Sequence, residues 1–96
     1  MTYDELKAAL TVFGFTERDT PTMTHIKRRH RELSRKYHPD LQGEAHQMQD
    51  LNNAASIIMS YLQSYRFSFS EEEFYRQNPD ERMRMQFATV PTWGTS

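Results

Sequence analysis

The chain has 96 residues and a formal net charge of −1, with 26% charged and 36% hydrophobic residues. These proportions are typical of an ordinary globular domain and exclude a disordered chain. The absence of cysteine excludes disulfides, a thiolate nucleophile and cysteine-ligated zinc. No apolar run approaches the roughly 18 residues of a membrane span, and the first residues lack the features of a signal peptide. We therefore expect a cytoplasmic protein without a membrane partner.

The first predicted element is a helix over residues 3–13. Thr2 and Glu5 have the Thr-x-x-Glu spacing of a capping box. Apolar residues recur at helical spacing within the segment: Tyr3, Leu6, Leu10 and Phe13. Gly14 is expected to end the helix, and Phe15 is expected to fold back onto the core.

A second helix is predicted over residues 23–37, with Thr22 as its N-cap. A narrow apolar stripe falls within about 60° on a helical wheel and consists of Ile26, His30, Leu33 and Tyr37. Cations fall on the opposite side, within about 100° of each other, at Lys27, Arg28, Arg31 and Arg35. Because Pro39 disfavours helical geometry at His38, the helix is expected to stop at Tyr37.

Positive charge is concentrated in this second helix. Residues 21–40 contain six Lys or Arg and two acidic residues, whereas residues 41–60 contain two acidic residues and no Lys or Arg. Because the net charge hides this uneven distribution, any partner attracted by charge is expected to meet the second helix.

A third helix is predicted over residues 44–64. Its main apolar stripe consists of Met48, Leu51, Ala55, Ile58 and Leu62. The connection from the second helix is short and is stiffened by Pro39. We therefore expect an antiparallel helical hairpin, with the connecting loop exposed at its tip.

The C-terminal third is less regular. Ser70 and Glu73 have capping-box spacing and predict a short helix through about Gln77. Pro79 predicts the first position of a further helix over residues 79–87. Several aromatic residues here are expected to be buried in a core or under the tail: Phe67, Phe69, Phe74, Tyr75 and Trp93. The whole is expected to form one domain, with residues 63–96 packed on the hairpin as an extension.

The sequence His38-Pro39-Asp40, hereafter the tripeptide, lies between a basic helix and an apolar helix. This arrangement resembles the J-domain (DnaJ-like) family of co-chaperones, whose members carry the same tripeptide between their second and third helices. The likeness covers about residues 3–62 and includes further matching residue types: Ile26-Lys27-Arg28, Arg31, Leu33 and Lys36-Tyr37. It implies an all-α J-domain fold of the minimal class, without Gly/Phe-rich or zinc-binding regions.

The resemblance implies an interaction and not catalysis by this chain. J-domains dock on a DnaK-type (heat-shock-70 class) chaperone and stimulate its ATP hydrolysis. By this likeness Asp40 would be the trigger, and His38 and Pro39 would set its geometry. The basic docking face would be formed or flanked by Lys27, Arg28, Arg31, Arg35 and Lys36. No cofactor is implied. The sequence leaves open whether residues 63–96 only pack on the hairpin, inhibit docking, or bind a client or another protein partner.

Several positions depart from the family pattern. His30 replaces a usual tyrosine, which is expected to remove an aromatic contact and to add pH sensitivity. Glu32 and Leu41 stand where basic residues are common, which predicts weaker or more selective docking. Arg35 replaces an apolar residue, so it extends the basic face and reduces the core. The opening of the family's fourth helix is matched by residues 78–82, but about fifteen residues late.

Two other functions stay open. The basic helix could bind nucleic acid through its phosphates, although the sequence pI is about 6.4 and the outer face of the helix lacks Asn or Gln to read bases. The domain could also be a J-like scaffold that stimulates no ATPase. An enzyme is not expected, because no nucleophile–base pair or phosphate-binding glycine loop is present. The spacings of the four histidines do not converge on a metal site.

Overall fold

The computed structural model describes residues 1–38 and 45–88, except for the side chains of residues 87 and 88. Within these ranges the chain forms five helices and no strand: α1 Tyr3–Phe13, α2 Met23–Tyr37, α3 Ala45–Gln63, α4 Glu71–Gln77 and α5 Pro79–Ala88. The predicted all-α class is therefore confirmed for the described residues. None of these helices is long and apolar enough to cross a membrane.

Local side-chain and backbone geometry fixes the ends of α1 and the start of α2. The Oγ1 atom of Thr2 accepts a hydrogen bond from the Glu5 N–H at 3.1 Å, and Thr22 Oγ1 accepts one from the His25 N–H at 3.2 Å. Both predicted N-caps are therefore present. Gly14 ends α1 with a φ of 79°, in the left-handed region that glycine adopts without steric cost.

The core lies within the first 65 residues and is built from all three long helices. Its buried members are Ala9 and Phe13 of α1, Ile26 of α2, and Leu51, Ala54 and Ile58 of α3. Phe15 packs against this core, and its ring centroid lies 6.3 Å from that of Phe13. The chain therefore folds back after Gly14 as predicted, and α3 contributes half of the buried side chains.

The pairing of α2 with α3 places opposite ends side by side. Ile26 and Lys27, near the start of α2, line the same groove as Ile58 and Met59, near the end of α3. The two helices therefore run antiparallel, and the end of α2 at Tyr37 lies toward the start of α3. The basic side of α2 is left on the surface of this pair.

The chain divides into two compact units, residues 1–65 and residues 66–96. The division falls three residues after the predicted start of the extension at residue 63. The predictions of one domain over residues 1–96 and of an extension packed on the hairpin stay predictions.

The second unit contains α4 and α5. Ser70 Oγ accepts a hydrogen bond from the Glu73 N–H at 3.2 Å, so the predicted cap of α4 is present. The Asn78 N–H donates to the Phe74 carbonyl at 2.9 Å where α4 ends, and Pro79 then opens α5 as predicted. The helix extends one residue beyond the predicted end at residue 87.

The aromatic residues of the second unit are not buried as predicted. Phe67 is 71% exposed, Phe69 is 94% exposed and Phe74 is also exposed, whereas Tyr75 is half-buried. The expected burial is therefore wrong for the three phenylalanines; Trp93 lies outside the described residues. The physical reason is size, because helices of seven and ten residues offer too little surface to enclose a core between them.

Candidate functional site

The cations that the sequence assigns to docking lie on α2. Burial of Ile26 and partial burial of His30, Leu33 and Tyr37 fix which side of the helix faces the core. The opposite side therefore faces solvent. All five predicted cations are exposed: Lys27, Arg28, Arg31, Arg35 and Lys36.

Four of these residues form a continuous surface, hereafter the basic face: Lys27, Arg28, Arg31 and Arg35. Lys27, Arg31 and Arg35 follow each other at four-residue intervals, which puts them in one row along the helix. Among the residues that the structure describes, no carboxylate forms an ion pair with any of the four. The basic face is therefore a concentration of positive charge without an ion-paired carboxylate in the described part of the chain.

Three charged residues of α2 have partners within the helix: Lys36, Glu32 and Arg29. The Lys36 amino group lies 5.6 Å from the centroid of the Tyr37 ring, within cation–π range, so it flanks the basic face. Glu32 Oε2 lies 3.8 Å from Arg29 Nε. An exposed pair of this kind contributes at most about 1 kcal/mol, but it draws the single acid of α2 toward Arg29.

The tripeptide begins where α2 ends. His38 is the C-cap residue of α2, is exposed, and has extended backbone angles of φ −64° and ψ 128°. This is the conformation expected of a residue before proline, and the predicted end of the helix is confirmed. Pro39, Asp40 and Leu41 lie outside the described residues, so their predicted roles stay predictions.

His30 keeps a ring contact within the fold. Its imidazole stacks on the ring of Phe13, with centroids 6.0 Å apart and planes inclined by 14°. The prediction that an aromatic contact is lost at this position is therefore wrong for contacts within the chain. The flat imidazole stacks on Phe13 as a benzene ring would. The predicted pH sensitivity stays a prediction.

Arg29 has a structural role that was not predicted from the sequence. Its Nη1 donates to the carbonyl oxygen of Phe13 at 2.9 Å, and its guanidinium carbon lies 5.2 Å from the ring centroid of Phe15. The side chain thus satisfies a carbonyl at the end of α1 and joins α1 to α2. A signal was present, because Arg29 follows Ile26 by three residues and precedes Leu33 by four, which places it beside the apolar stripe.

Within the described residues, no group of three His, Asp or Glu side chains lies close enough together to hold a metal ion. No protein-family model, curated protein or solved structure matches this chain. The likeness to the J-domain family therefore depends on the sequence pattern over about residues 3–62, with the tripeptide at its centre.

Proposed function

We propose that this chain is a J-domain co-chaperone that docks on a DnaK-type (heat-shock-70 class) chaperone and stimulates ATP hydrolysis by that chaperone. One observation carries the proposal. The basic face, without a carboxylate partner among the described residues, lies on the helix that ends at Tyr37, directly before His38, Pro39 and Asp40 in the sequence. A charged docking surface and a candidate trigger are therefore consecutive in the chain.

The basic face supplies attraction over a distance. Exposed charges of one sign increase the rate of encounter with a partner of opposite sign and orient it, and they add less to the final affinity. Because these side chains are solvent-exposed, salt screens them, with a Debye length of about 8 Å at physiological ionic strength. Docking by this surface should therefore weaken as salt is added.

The tripeptide supplies the specific contact. Pro39 has a fixed φ and no N–H, so the sequence predicts a stiff turn after α2 that loses little entropy when a partner binds. Asp40 offers a carboxylate that can accept two parallel hydrogen bonds from one arginine of the partner. In the proposal, this carboxylate perturbs the arginine-centred contacts that hold the chaperone in its slow, ATP-bound state.

The helix fixes the separation between the basic face and His38, the first residue of the tripeptide. His38 follows Arg28 by ten residues, which corresponds to about 15 Å along a helix. A partner held by the basic face therefore meets His38 at a defined position. Because Asp40 follows His38 by two residues, such docking brings the candidate trigger close to the partner, which favours a reaction there.

Single-turnover ATP hydrolysis by the DnaK-type chaperone of the same host tests the proposal. Adding this protein should accelerate hydrolysis, and Asp40→Asn should abolish the acceleration because it removes the charge and keeps the shape. Asp50→Asn is the matched control, since Asp50 is an exposed carboxylate on α3. Equal stimulation by Asp40→Asn and the unchanged protein would contradict the mechanism.

Nucleic-acid binding is the second candidate, and the same four exposed cations favour it. If all four contacted phosphates, the logarithm of the binding constant should fall with the logarithm of salt concentration with a slope of about −3 to −4. Such binding to DNA or RNA, together with no effect on the chaperone, would support this candidate in place of the first.

A further inference from the structure

A groove of about 310 Å³ lies between α2 and α3, near the start of α2 and the end of α3. Its base is apolar and is formed by Phe13, Ile26 and Ile58, all of which are buried in the core. Ala55 and Met59 of α3 form one wall. The groove is therefore an opening onto the core with enough volume for one large apolar side chain.

Cations stand at the edge of this opening. Lys27 and Arg31 line the groove from α2, and both belong to the basic face. Within the described residues that line it, no side chain is acidic. An apolar side chain that entered the groove would therefore bring its neighbours against two positive charges.

A second groove on the same unit has the opposite charge. It lies between α1 and α3, has a volume of about 230 Å³, and is lined by apolar residues that include Ala8 and Ile57. Glu5 and Asp50 line it, and no Lys or Arg of the described residues does. Of these two grooves only the α2–α3 groove has a positive edge, and the charge indicates what this groove can accept.

We propose that the α2–α3 groove binds a partner segment that presents one large apolar side chain flanked by Asp or Glu. This inference rests on the proposed function and assigns the segment to the surface of the ATP-bound DnaK-type chaperone. The apolar side chain enters between Ile26 and Ile58, and the flanking carboxylates meet Lys27 and Arg31. The chain thus contacts its partner at two places, the groove and the tripeptide.

The two contacts have different consequences. Charged surfaces mainly change how fast partners meet, whereas differences in residence time come from close contacts that exclude water. An apolar pocket surrounded by polar side chains is the arrangement in which a few residues dominate binding energy. The groove should therefore set how long the chaperone stays bound, and Asp40 should set how strongly a bound chaperone is stimulated.

Filling the groove tests this division. Ala55→Phe places a ring in the α2–α3 groove, and we expect the concentration of this protein that gives half-maximal ATPase stimulation to rise at least tenfold. Maximal stimulation should be unchanged, because the tripeptide is untouched. Ala8→Phe is the matched control, since it adds the same ring in the α1–α3 groove, and it should change the half-maximal concentration less than twofold.

A second pair of variants keeps the test decisive if Ala55→Phe fails to fold. Met59→Glu adds a negative charge to the groove wall, and Met59→Gln adds a neutral side chain of the same length. At low salt, the concentration that gives half-maximal stimulation should be at least five times higher for Met59→Glu than for Met59→Gln, because the added carboxylate repels the acidic partner segment. The difference between the two variants should shrink as salt is added.

The outcomes separate the groove from the proposed function. If Asp40→Asn abolishes stimulation while Met59→Glu and Met59→Gln behave alike and Ala55→Phe has no effect, the groove proposal is overturned and the co-chaperone function stands. A fall in maximal stimulation with Ala55→Phe, at an unchanged half-maximal concentration, also overturns it. If the unchanged protein stimulates no hydrolysis, the function and the groove proposal fail together.

Discussion

The two units of this chain start their helices in the same way but stabilise them differently. Thr22 caps α2 and Ser70 caps α4 in the same way: each side-chain hydroxyl oxygen accepts a hydrogen bond from the backbone N–H three residues later. In residues 1–65 the capped helices then bury side chains such as Phe13 of α1, which is 1% exposed. In the described part of residues 66–96 no residue is buried. A cap therefore decides where a helix begins, and burial decides whether its position is fixed.

Local contacts support the helices of the second unit. Glu73 accepts two hydrogen bonds from Arg76, at 2.8 and 2.7 Å, and one from Gln77 at 3.0 Å. The Tyr75 hydroxyl donates to Met85 Sδ at 2.6 Å, which joins α4 to α5. Exposed contacts of this kind contribute little each, because water competes for both partners. The helices of the first unit therefore share a buried core that can hold a docking surface in place, whereas the described helices of the second unit have local contacts and no buried residue.

Truncation of a core side chain should give the largest effect. Leu51→Ala removes a fully buried side chain of α3 and should lower the free energy of unfolding of the first unit by about 2–5 kcal/mol. A unit of this size has a total stability of about 3–10 kcal/mol, so much of the fold should be lost. Urea denaturation followed by circular dichroism measures the change.

Phe69→Ala is the control in the second unit. Phe69 is 94% exposed, and surface substitutions usually change stability by about 0.5 kcal/mol or less. A cost for Phe69→Ala as large as that for Leu51→Ala would remove the contrast between the two units.

Substitution of Gly14 should have the next largest effect. Its φ of 79° disfavours any side chain, and an added Cβ would lie 2.7 Å from Arg29 Nη1, which donates to the Phe13 carbonyl. Gly14→Ala should therefore lower the free energy of unfolding by about 1–3 kcal/mol, through left-handed strain and a displaced hydrogen bond. Thermal denaturation measures the loss.

Gly14→Asn separates these two causes. Asparagine tolerates the left-handed conformation better than alanine but carries the same Cβ. A smaller loss with Asn indicates that backbone strain dominates, and an equal loss indicates that displacement of Arg29 dominates. No loss with either variant would show that α1 does not need its end fixed against α2.

The sequence predicts the helix boundaries well, because caps and stop signals are local. The bounds of α1, α2 and α4 agree with the prediction at every residue, and α5 differs by one residue at Ala88. The predicted bounds of α3 extend one residue beyond each end of Ala45–Gln63, and Glu44 lies outside the described residues.

Burial and side-chain contacts between elements are harder to predict. The exposure of Phe69 depends on whether α4 and α5 find a partner, which no local pattern encodes. The spacing of Arg29 from Ile26 and Leu33 indicates a position beside the core, but its charge favours a solvent-facing assignment. The hydrogen bond from Arg29 to α1 was therefore not predicted. The cations of the site were predicted correctly as exposed, since they lie opposite the apolar stripe.

The smallest expected effect is the pH dependence of α4, which arises from hydrogen bonds to Glu73 within the helix. Hydrogen bonds from Arg76 and Gln77 lower the pKa of Glu73 from 4.5 to about 2. Because the pKa is lower in the folded helix than in the unfolded chain, the stabilisation is complete above about pH 4.5 and is lost as pH falls toward 2.

Carbon-detected NMR titration of the Glu73 carboxyl measures this pKa directly. Arg76→Gln should move it back toward 4.5, whereas Leu51→Ala should leave it unchanged, because the contacts of Glu73 lie within α4. A Glu73 pKa that rises with Leu51→Ala would show that α4 depends on the core of the first unit, and the contrast between the two units would then have to be abandoned.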